Sequence, residues 1–292
     1  MKKGSREAAP FMEDYNMVVQ HNITAMNSNR QLGITTDVQA KSSEKLSSGY
    51  RINRAADDAA GLAISEKMRR QVRGLTQASA NAQDGISAVQ TAEGALNEVH
   101  DMLQRMNELA VKASNDTLQT SDRDYIQREI KALVDEIHRT GVSTQFNDTN
   151  LLDGSFTGKK LQVGSEAKDT NQIEISIVPL TATGLSIDGT KVKVTGSNGV
   201  NARNSIQVIK DALELVSSQR AYLGAVQNRL EHTIKNLDNV VENTQAAESQ
   251  IRDTDMAEEM VRYSNNNILA QAGQSMLAQA NQTNQGVLSL LQ

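Results

Sequence analysis

An apolar stripe with alternating steps of three and four residues most restricts how this chain can fold. The stripe runs through Ala82, Ile86, Val89, Ala92, Leu96, Val99, Leu103, Met106, Ala110 and Ala113. Such spacing is typical of a helix that packs along its whole length against other helices, as in a coiled coil. Asp57 and Asp58 are N-cap candidates at its start. A helix over residues 58–114 would be about 85 Å long at 1.5 Å per residue, which predicts a rod.

Two further helices are predicted to pack along this one. The second begins near Ser121, which with Asp124 has the spacing of a capping box, and its apolar face is Ile126, Ile130, Leu133, Val134 and Ile137. The third covers residues 203–251, with a stripe of Ile206, Ile209, Leu213, Val216, Leu223, Leu230, Ile234, Leu237, Val241 and Thr244. Arg220 and Gln227 fall on that stripe, and we expect them at its edge with solvated polar ends.

The residues between the second and third helices, 142–200, have a different character. Short alternating runs predict strands at Phe146, 161–163, 173–177 and 192–194. The pairs Asp153-Gly154, Asp188-Gly189 and Asn198-Gly199 are turn signals between them. The predicted fold class is therefore mainly α, an elongated antiparallel, coiled-coil-like rod with a small β-hairpin region at one end.

Composition supports thin packing and excludes several classes of function. Aromatic residues make up 3% of the 292 residues, and cysteine and tryptophan are absent, so disulfides and thiol nucleophiles are excluded. A net charge of -5 gives no basic field for nucleic acid. No apolar run is long enough to cross a bilayer, and no signal peptide is recognisable. We expect a soluble protein without nucleic-acid binding or membrane insertion, exported, if at all, without a cleavable signal.

The sequence predicts no enzyme, metal site or cofactor. The four histidines, His21, His100, His138 and His232, lack the spacing of metal ligands. The acidic group Asp253, Asp255, Glu258 and Glu259 lies at a predicted helix start, where carboxylates commonly complement the dipole. Residues 148–154 weakly match a calcium loop, but Lys159 stands where a bidentate glutamate is required. Composition alone also permits a cytosolic coiled-coil adaptor or sensor rod.

Both ends of the chain carry weak apolar faces. The first consists of Val19, Ile23, Met26, Leu32 and Val38, and the second of Met260, Ile268, Ala272, Met276, Ala280, Leu288 and Leu291. Polar residues are interleaved with both, so neither helix should be stable alone. We expect the two ends to need each other and further copies of the chain. Residues 47–49 and Asn53 interrupt the helical pattern and so separate the first terminal helix from the long helix.

Several stretches of the sequence resemble bacterial flagellins. They are NITAMNSNRQLG, ANAQDGISAVQTAEGALNEVHDMLQRMNELAVKASND, LGAVQNRLEHTIKNLDNVVENTQAAESQIRDTDMAEEMV and QAGQSMLAQANQTNQGVLSLLQ. The resemblance implies that paired terminal helices form the inner tube of a filament, that the long helices form an outer rod, and that spokes connect the two. Fewer than sixty residues stand where many flagellins insert large variable outer domains, so this is similar to a short form. Residues 148–150 depart from the usual hairpin entry.

The resemblance also divides the chain. The expected parts are residues 17–46 as an N-terminal inner-core helix, 47–57 as a spoke, 58–141 as rod helices, 142–200 as the β-hairpin region, 201–251 as the returning rod helix, and 252–292 as the second spoke and C-terminal inner-core helix. Residues 1–16 precede the family pattern, which begins at Met17. We expect them to reflect an early start codon, because codons for Met12-Glu13-Asp14 can contain a ribosome-binding sequence. A cloning remnant and a genuine extension remain alternatives.

The function implied by the resemblance is self-assembly into the flagellar filament for motility. Candidate assembly residues are Ile23, Met26, Met260, Ile268, Met276, Leu288 and Leu291. The implied partners are further copies of the chain, the flagellar cap and hook-associated proteins, and an export chaperone. Secretion would pass through the flagellar channel, and the chain would reside in the extracellular filament.

The resemblance further implies recognition by the vertebrate innate immune receptor Toll-like receptor 5. Arg105, Leu109 and Glu129 match the family's contact positions, with Gln104 and Glu108 in the same motif. Arg105 and Leu109 are four residues apart and share a helix face, so an arginine fork would lie beside an apolar contact. The alternatives are that Leu109 belongs to the neighbouring core stripe and that Glu108 only pairs with Lys112. Lys112 also replaces the expected glutamine.

Overall fold

The computed structural model describes residues 22–196 and 198–290, and side chains as far as residue 283. The predicted mainly α fold is confirmed. The helices are α1 (Ile23–Ser48), α2 (Ala59–Ala113), α3 (Thr120–Ser143), α4 (Val200–Arg252) and α5 (Met256–Leu290), and the strands are β1 (Gln145–Phe146), β2 (Thr149–Asn150), β3 (Lys159–Gln162) and β4 (Gln172–Ile175). The strands form two antiparallel pairs, β1 with β2 and β3 with β4.

The chain folds as two units. The central unit is Glu66–Glu248, and the terminal unit combines the segments before Glu66 and from Ser249 onwards. In the central unit α2 and α4 run antiparallel, with the Ser79 hydroxyl donating to the Asp238 carboxylate at 3.3 Å. In the terminal unit α1 and α5 pack together, also antiparallel, because the Asn22 side-chain amide donates to the carbonyl of Ala280 at 2.9 Å.

The core of the central unit follows the predicted stripes. All ten predicted stripe residues of α2, from Ala82 to Ala113, are at most 5% exposed. The buried apolar residues of α3 are Ile126, Ile130, Val134 and Ile137, and those on the predicted stripe of α4 are Ile209, Val216, Leu223, Leu230 and Leu237. Apart from Leu237, which packs with Leu75 and Ala78 in a separate small cluster, these side chains and the hairpin residues form one continuous cluster. Helix spacing in the sequence was therefore sufficient to place this core.

A buried arginine that the sequence pattern did not indicate joins two loops to the end of α2. Arg123 is 1% exposed. Its guanidinium donates to the carbonyls of Ala113, Asn115 and Gly196 at 3.0, 3.0 and 3.1 Å. Ala113 is the last residue of α2, where helix carbonyls lack intrahelical partners, so the arginine satisfies acceptors that α2 cannot satisfy itself.

The predicted capping box of α3 was placed two residues too late. Helix α3 begins at Thr120, with Gln119 as its N-cap. The Asp122 carboxylate accepts a hydrogen bond from the backbone N–H of Gln119 at 3.2 Å. Ser121 and Asp124 fall inside the helix, because the turn after α2 closes early, with the N–H of Leu118 donating to the carbonyl of Asn115.

The hairpin region confirms three strand predictions and corrects the fourth. The β1–β2 turn uses Asn147 and Asp148 with φ of 49° and 58°, the positive values of a tight hairpin turn, which these residue types tolerate. Residues 159–162 and 172–175 pair as β3 and β4. Residues 192–194 are not a strand, although Val192 and Val194 are fully buried.

Side chains take the place of a neighbouring strand at residues 192–194. The Gln127 amide donates to the carbonyl of Val192 at 3.2 Å and accepts from the N–H of Val194 at 2.7 Å. The Ser205 hydroxyl accepts from the N–H of Lys193 and donates to its carbonyl. The alternating pattern correctly identified the buried side, but the hydrogen-bond partners come from α3 and α4.

The predicted break after α1 is the connection between α1 and α2, which contacts the connection between α4 and α5. Gly49 ends α1 with φ of 75°, a left-handed value that favours glycine. Its carbonyl accepts from the N–H of Thr254 at 3.0 Å, and Tyr50 forms an antiparallel bridge with Asp253. The Arg252 guanidinium lies 4.6 Å from the centre of the Tyr50 ring. The α1–α2 and α4–α5 connections therefore hold each other.

The two predicted N-cap aspartates have separate roles. Asp58 caps α2 by accepting from the N–H of Gly61 at 2.8 Å. The Asp57 carboxylate accepts from the N–H groups of Arg54 and Asn53 at 2.9 and 3.2 Å. These bonds, chiefly that from Arg54, hold the pKa of Asp57 below its ordinary value. One aspartate thus starts the helix while the other closes the turn before it.

Candidate assembly and receptor surfaces

The face on which α1 meets α5 consists mostly of small and polar residues. On α1 the less exposed positions recur in threes and fours: Ala25, Ser28, Leu32, Thr35, Gln39, Ser42 and Leu46. On α5 they are Glu259, Tyr263, Asn266, Ala270, Gly273, Leu277 and Ala280. Ser42, Glu259 and Ala270 are the most buried of these, at 3%, 5% and 6% exposure. The pair therefore has coiled-coil spacing but buries little apolar surface.

The large apolar side chains of the same two helices are exposed. Ile23, Met26, Met260, Ile268 and Met276, all predicted assembly residues, are between 60% and 65% exposed. The sequence reasoning missed further exposed members, which are Ile34, Met256, Val261 and Leu269. On α1 helical spacing puts the exposed apolar set about 150° from the paired face. An apolar patch of this kind is typical of a surface that another molecule covers.

The two predicted terminal faces were expected to need each other as well as further copies, and few of their residues lie between the two helices. Among their described members, Leu32 and Ala280 are half-buried on the paired face, and the others are exposed. The Cδ1 of Leu32 lies 3.3 Å from where a Cβ on Gly273 would stand, so only a very small residue lets the helices approach there. Val19, Leu291 and the side chain of Leu288 lie outside the described residues.

Two of the predicted receptor residues form an ion pair in the central unit. The Arg105 guanidinium donates to the Glu129 carboxylate at 2.9 and 3.1 Å and to Glu108 at 3.1 Å. These carboxylates, Glu129 first, raise the pKa of Arg105 above its ordinary value. The arginine side chain is 53% exposed, so solvent screens the pair and its contribution to stability is small. The group is an accessible charged patch that bridges α2 and α3.

The other predicted receptor residues differ in exposure and in the contacts they make. Leu109 is 4% exposed and belongs to the core cluster, so the expectation of an exposed apolar contact beside Arg105 was wrong. Glu108 pairs with Arg105. The Gln104 amide lies 2.9 Å from Nε2 of His100. Exposed apolar side chains of these two helices include Val111 of α2 and Tyr125 of α3, at 52% and 65%.

Residues 22–196 and 198–290 contain no group of three or more histidine, aspartate or glutamate side chains placed to hold a metal ion. Within the same residues no helix is both long enough and apolar enough to span a membrane.

Comparison with known proteins decides the family. Residues 19–157 match the bacterial flagellin N-terminal helical region, and residues 206–291 match the bacterial flagellin C-terminal helical region. A flagellin of Halalkalibacterium halodurans is 54% identical over 94% of this chain and its own whole length. The chain belongs to the bacterial flagellin family. Flagellins are structural proteins rather than enzymes, so the adaptor reading and any catalytic role are set aside.

Other relatives place this flagellin among filament subunits of similar length. A flagellar filament 31.3 kDa core protein of Treponema maltophilum is 50% identical, and the alignment covers 94% of this chain and all of that protein. Full coverage over 286 residues agrees with a short form that lacks large variable outer domains. The flagellin is a structural subunit of the bacterial flagellar filament.

A structural comparison supports the fold. A structure described as a flagellar hook-associated protein from Vibrio parahaemolyticus superposes with a TM-score of 0.56 at 14% identity, covering 68% of this chain and 100% of that one. At that identity the likeness concerns the fold alone.

Proposed function

We propose that this flagellin assembles by burying the exposed apolar residues of α1 and α5 against neighbouring copies. The supporting observation is that Ile23, Met26, Met260, Ile268 and Met276 are each at least 60% exposed on helices whose mutual face is small and polar. Burying such a side chain fully contributes about 1.5 to 3 kcal/mol. Two helices alone cannot cover these residues, whereas a ring of neighbours can.

The ordering of the terminal helices is coupled to assembly in this proposal. Fixing the backbone costs roughly 1 to 2 kcal/mol of conformational entropy per residue. Burial on the small paired face offsets little of that cost. The free subunit would then be stably folded over about 57–251 and mobile at both ends. Neighbouring subunits supply the missing apolar burial at the growing tip of the filament, where the cap protein and the hook-associated proteins are the expected partners.

Truncation tests the assembly proposal. Removing residues 257–292 deletes α5 almost completely and leaves the central unit intact. We expect the truncated protein to keep the helical circular dichroism of the central unit and to form no filaments by electron microscopy. Filaments from the truncated protein would show that the assembly mechanism is wrong.

Export through the flagellar secretion channel fits the same surface. Before export the apolar side chains of α5, such as Ile268 and Leu269, need protection from water and from premature assembly, which a cytosolic chaperone would supply by covering α5. We expect the flagellin to stay inside cells that lack the secretion channel. Normal amounts outside such cells would refute this route.

We also propose that Arg105 and Glu129 form the centre of a Toll-like receptor 5 contact, flanked by Gln104 and Glu108. The supporting observation is that Arg105 and Glu129 share one exposed patch across α2 and α3. An arginine fork already oriented by carboxylates loses little freedom when it meets polar groups on a partner. Leu109 supports the patch from beneath, because it packs in the core under it.

The receptor proposal predicts a specific loss of binding. Replacing Arg105 with alanine should weaken monomer binding by about 2 kcal/mol, roughly thirtyfold, and should impair filament formation, because the same surface would pack between filament strands. Arg139→Ala is the matched control, since Arg139 is also an exposed arginine paired with a glutamate three residues away. Equal affinity for parent and Arg105→Ala, or for intact filament and monomer, would refute the proposal.

A further inference from the structure

Methionine exposure differs between the two units. Met26, Met256, Met260 and Met276 in the terminal unit are 65%, 46%, 60% and 63% exposed. In the central unit Met106 is fully buried, and Met68 and Met102 are half-buried. Among the side chains that the structure describes, exposed methionine is therefore confined to the helices of the proposed assembly surface.

We propose that these four methionines are oxidation sites at which hydrogen peroxide blocks assembly of the free subunit. The inference rests on the proposed function, because it requires that α1 and α5 form the assembly surface. Its chemistry depends on the exposed thioether sulfur atoms, and its effect depends on where they lie.

The chemical step is a two-electron oxygen transfer. A lone pair of the methionine sulfur attacks one oxygen of hydrogen peroxide, the S–O bond forms and the O–O bond breaks. The second oxygen leaves as water with both protons, so the sulfur is oxidised and the peroxide is reduced. The product, methionine sulfoxide, is polar, and enzymatic reduction restores the thioether.

The position of the sulfoxides explains the block. Met26 belongs to the exposed apolar set of α1 with Ile23 and Ile34, and Met260 and Met276 lie among exposed apolar residues of α5. Assembly would bury a sulfoxide oxygen among apolar side chains, where a polar group without a hydrogen-bond partner is unfavourable. The central unit keeps its fold, because Met106 is inaccessible.

Protection in the filament follows from the same geometry. Once neighbouring copies cover α1 and α5, the four sulfur atoms are shielded from solvent. Oxidants would therefore remove free subunits from the growing pool while sparing filament that is already built. The state is reversible, because sulfoxide reduction returns the subunit to an assembly-competent form.

The experiment compares peroxide-treated and untreated full-length flagellin by peptide mass mapping and by sedimentation of filaments. We expect the four terminal methionines to oxidise at least about tenfold faster than Met106, and the sedimented fraction of oxidised protein to fall at least about tenfold. Treatment with methionine sulfoxide reductase should restore sedimentation. Preformed filaments should resist oxidation at the same four positions.

Variants assign the effect to the terminal unit. The combined substitution M26L/M256L/M260L/M276L removes the oxidisable sulfur atoms, so peroxide should leave its own sedimented fraction unchanged, whereas the control M68L/M102L should lose sedimentation on treatment as the parent does. Oxidised parent that sediments like untreated parent overturns the inference, and so does a terminal leucine variant that is as sensitive as the parent. If the leucine variant fails to assemble before treatment, the test is whether methionine sulfoxide reductase restores sedimentation of the oxidised parent. A parent that the reductase does not restore overturns the inference. Untreated parent that never assembles overturns the proposed function itself.

Discussion

The central and terminal units place opposite kinds of side chain on the same three-and-four spacing. In the central unit that spacing buries Leu96, Leu103 and Met106 completely. In the terminal unit it buries Ser42 and Ala270, while larger apolar side chains point outward. Spacing decides where two helices touch, whereas side-chain size decides how much apolar surface that contact removes from water. The apolar core of the central unit is thus closed within one chain, whereas the terminal unit leaves its larger apolar side chains exposed.

The largest expected effect is a loss of central-unit stability. Leu103→Ala should lower the free energy of unfolding by about 2 to 5 kcal/mol, because it leaves a cavity in a closely packed core. Ile268→Ala removes a comparable side chain that is 64% exposed and should change that free energy by less than about 0.5 kcal/mol. Denaturant titration of the monomers measures both. Equal losses would break the contrast between the units.

The next effect concerns assembly alone. Met276→Glu puts a charge on the exposed apolar surface and should raise the subunit concentration needed for filaments by roughly ten- to a hundredfold, the equivalent of losing about 1.5 to 3 kcal/mol of burial. Ser218→Glu is the matched control, since it adds the same charge at an exposed position of α4 in the central unit. Sedimentation against concentration gives both values. A control as defective as Met276→Glu would mean that net charge, not this surface, controls assembly.

The sequence was most informative where one signal dominated. The stripe of α2 predicted its buried residues, because a long helix has one consistent inner face. Leu109 shows the limit of that prediction, since it lies beside the stripe and is nevertheless only 4% exposed. Arg123 was missed because burial of a charge depends on carbonyls from distant loops, which no local pattern contains.

The candidate surfaces were predicted less completely than the fold. Ile23, Met26, Met260, Ile268 and Met276 were named from the sequence as assembly residues, whereas the position of Leu32 and Ala280 on the paired face was not predicted. Their three-and-four spacing with Ser28, Ser42 and Ala270 was the available signal. The ion pair between Arg105 and Glu129 was not predicted either, because it depends on the register in which α3 packs on α2, which periodicity does not determine.

The smallest expected effect is a pH dependence of the stability of the connection between α1 and α2. The N–H groups of Arg54 and Asn53 lower the pKa of Asp57 from its ordinary value of 3.8. A lowered folded pKa means that the stabilisation is present above pH 3.8 and is lost as the pH falls through the folded value. Asp57→Asn should therefore be less stable than the parent at neutral pH, and the two stabilities should converge in acid. A difference that is independent of pH would refute this role of the carboxylate.

Hydrogen exchange of the free subunit and the filament tests the central claim most directly. If the terminal unit is completed only by neighbouring copies, amides of α1 and α5 should exchange rapidly in the monomer and slowly in the filament. Amides in the buried helices of the central unit should be protected in both states, because their core lies within one chain. Terminal helices equally protected in monomer and filament would contradict the account.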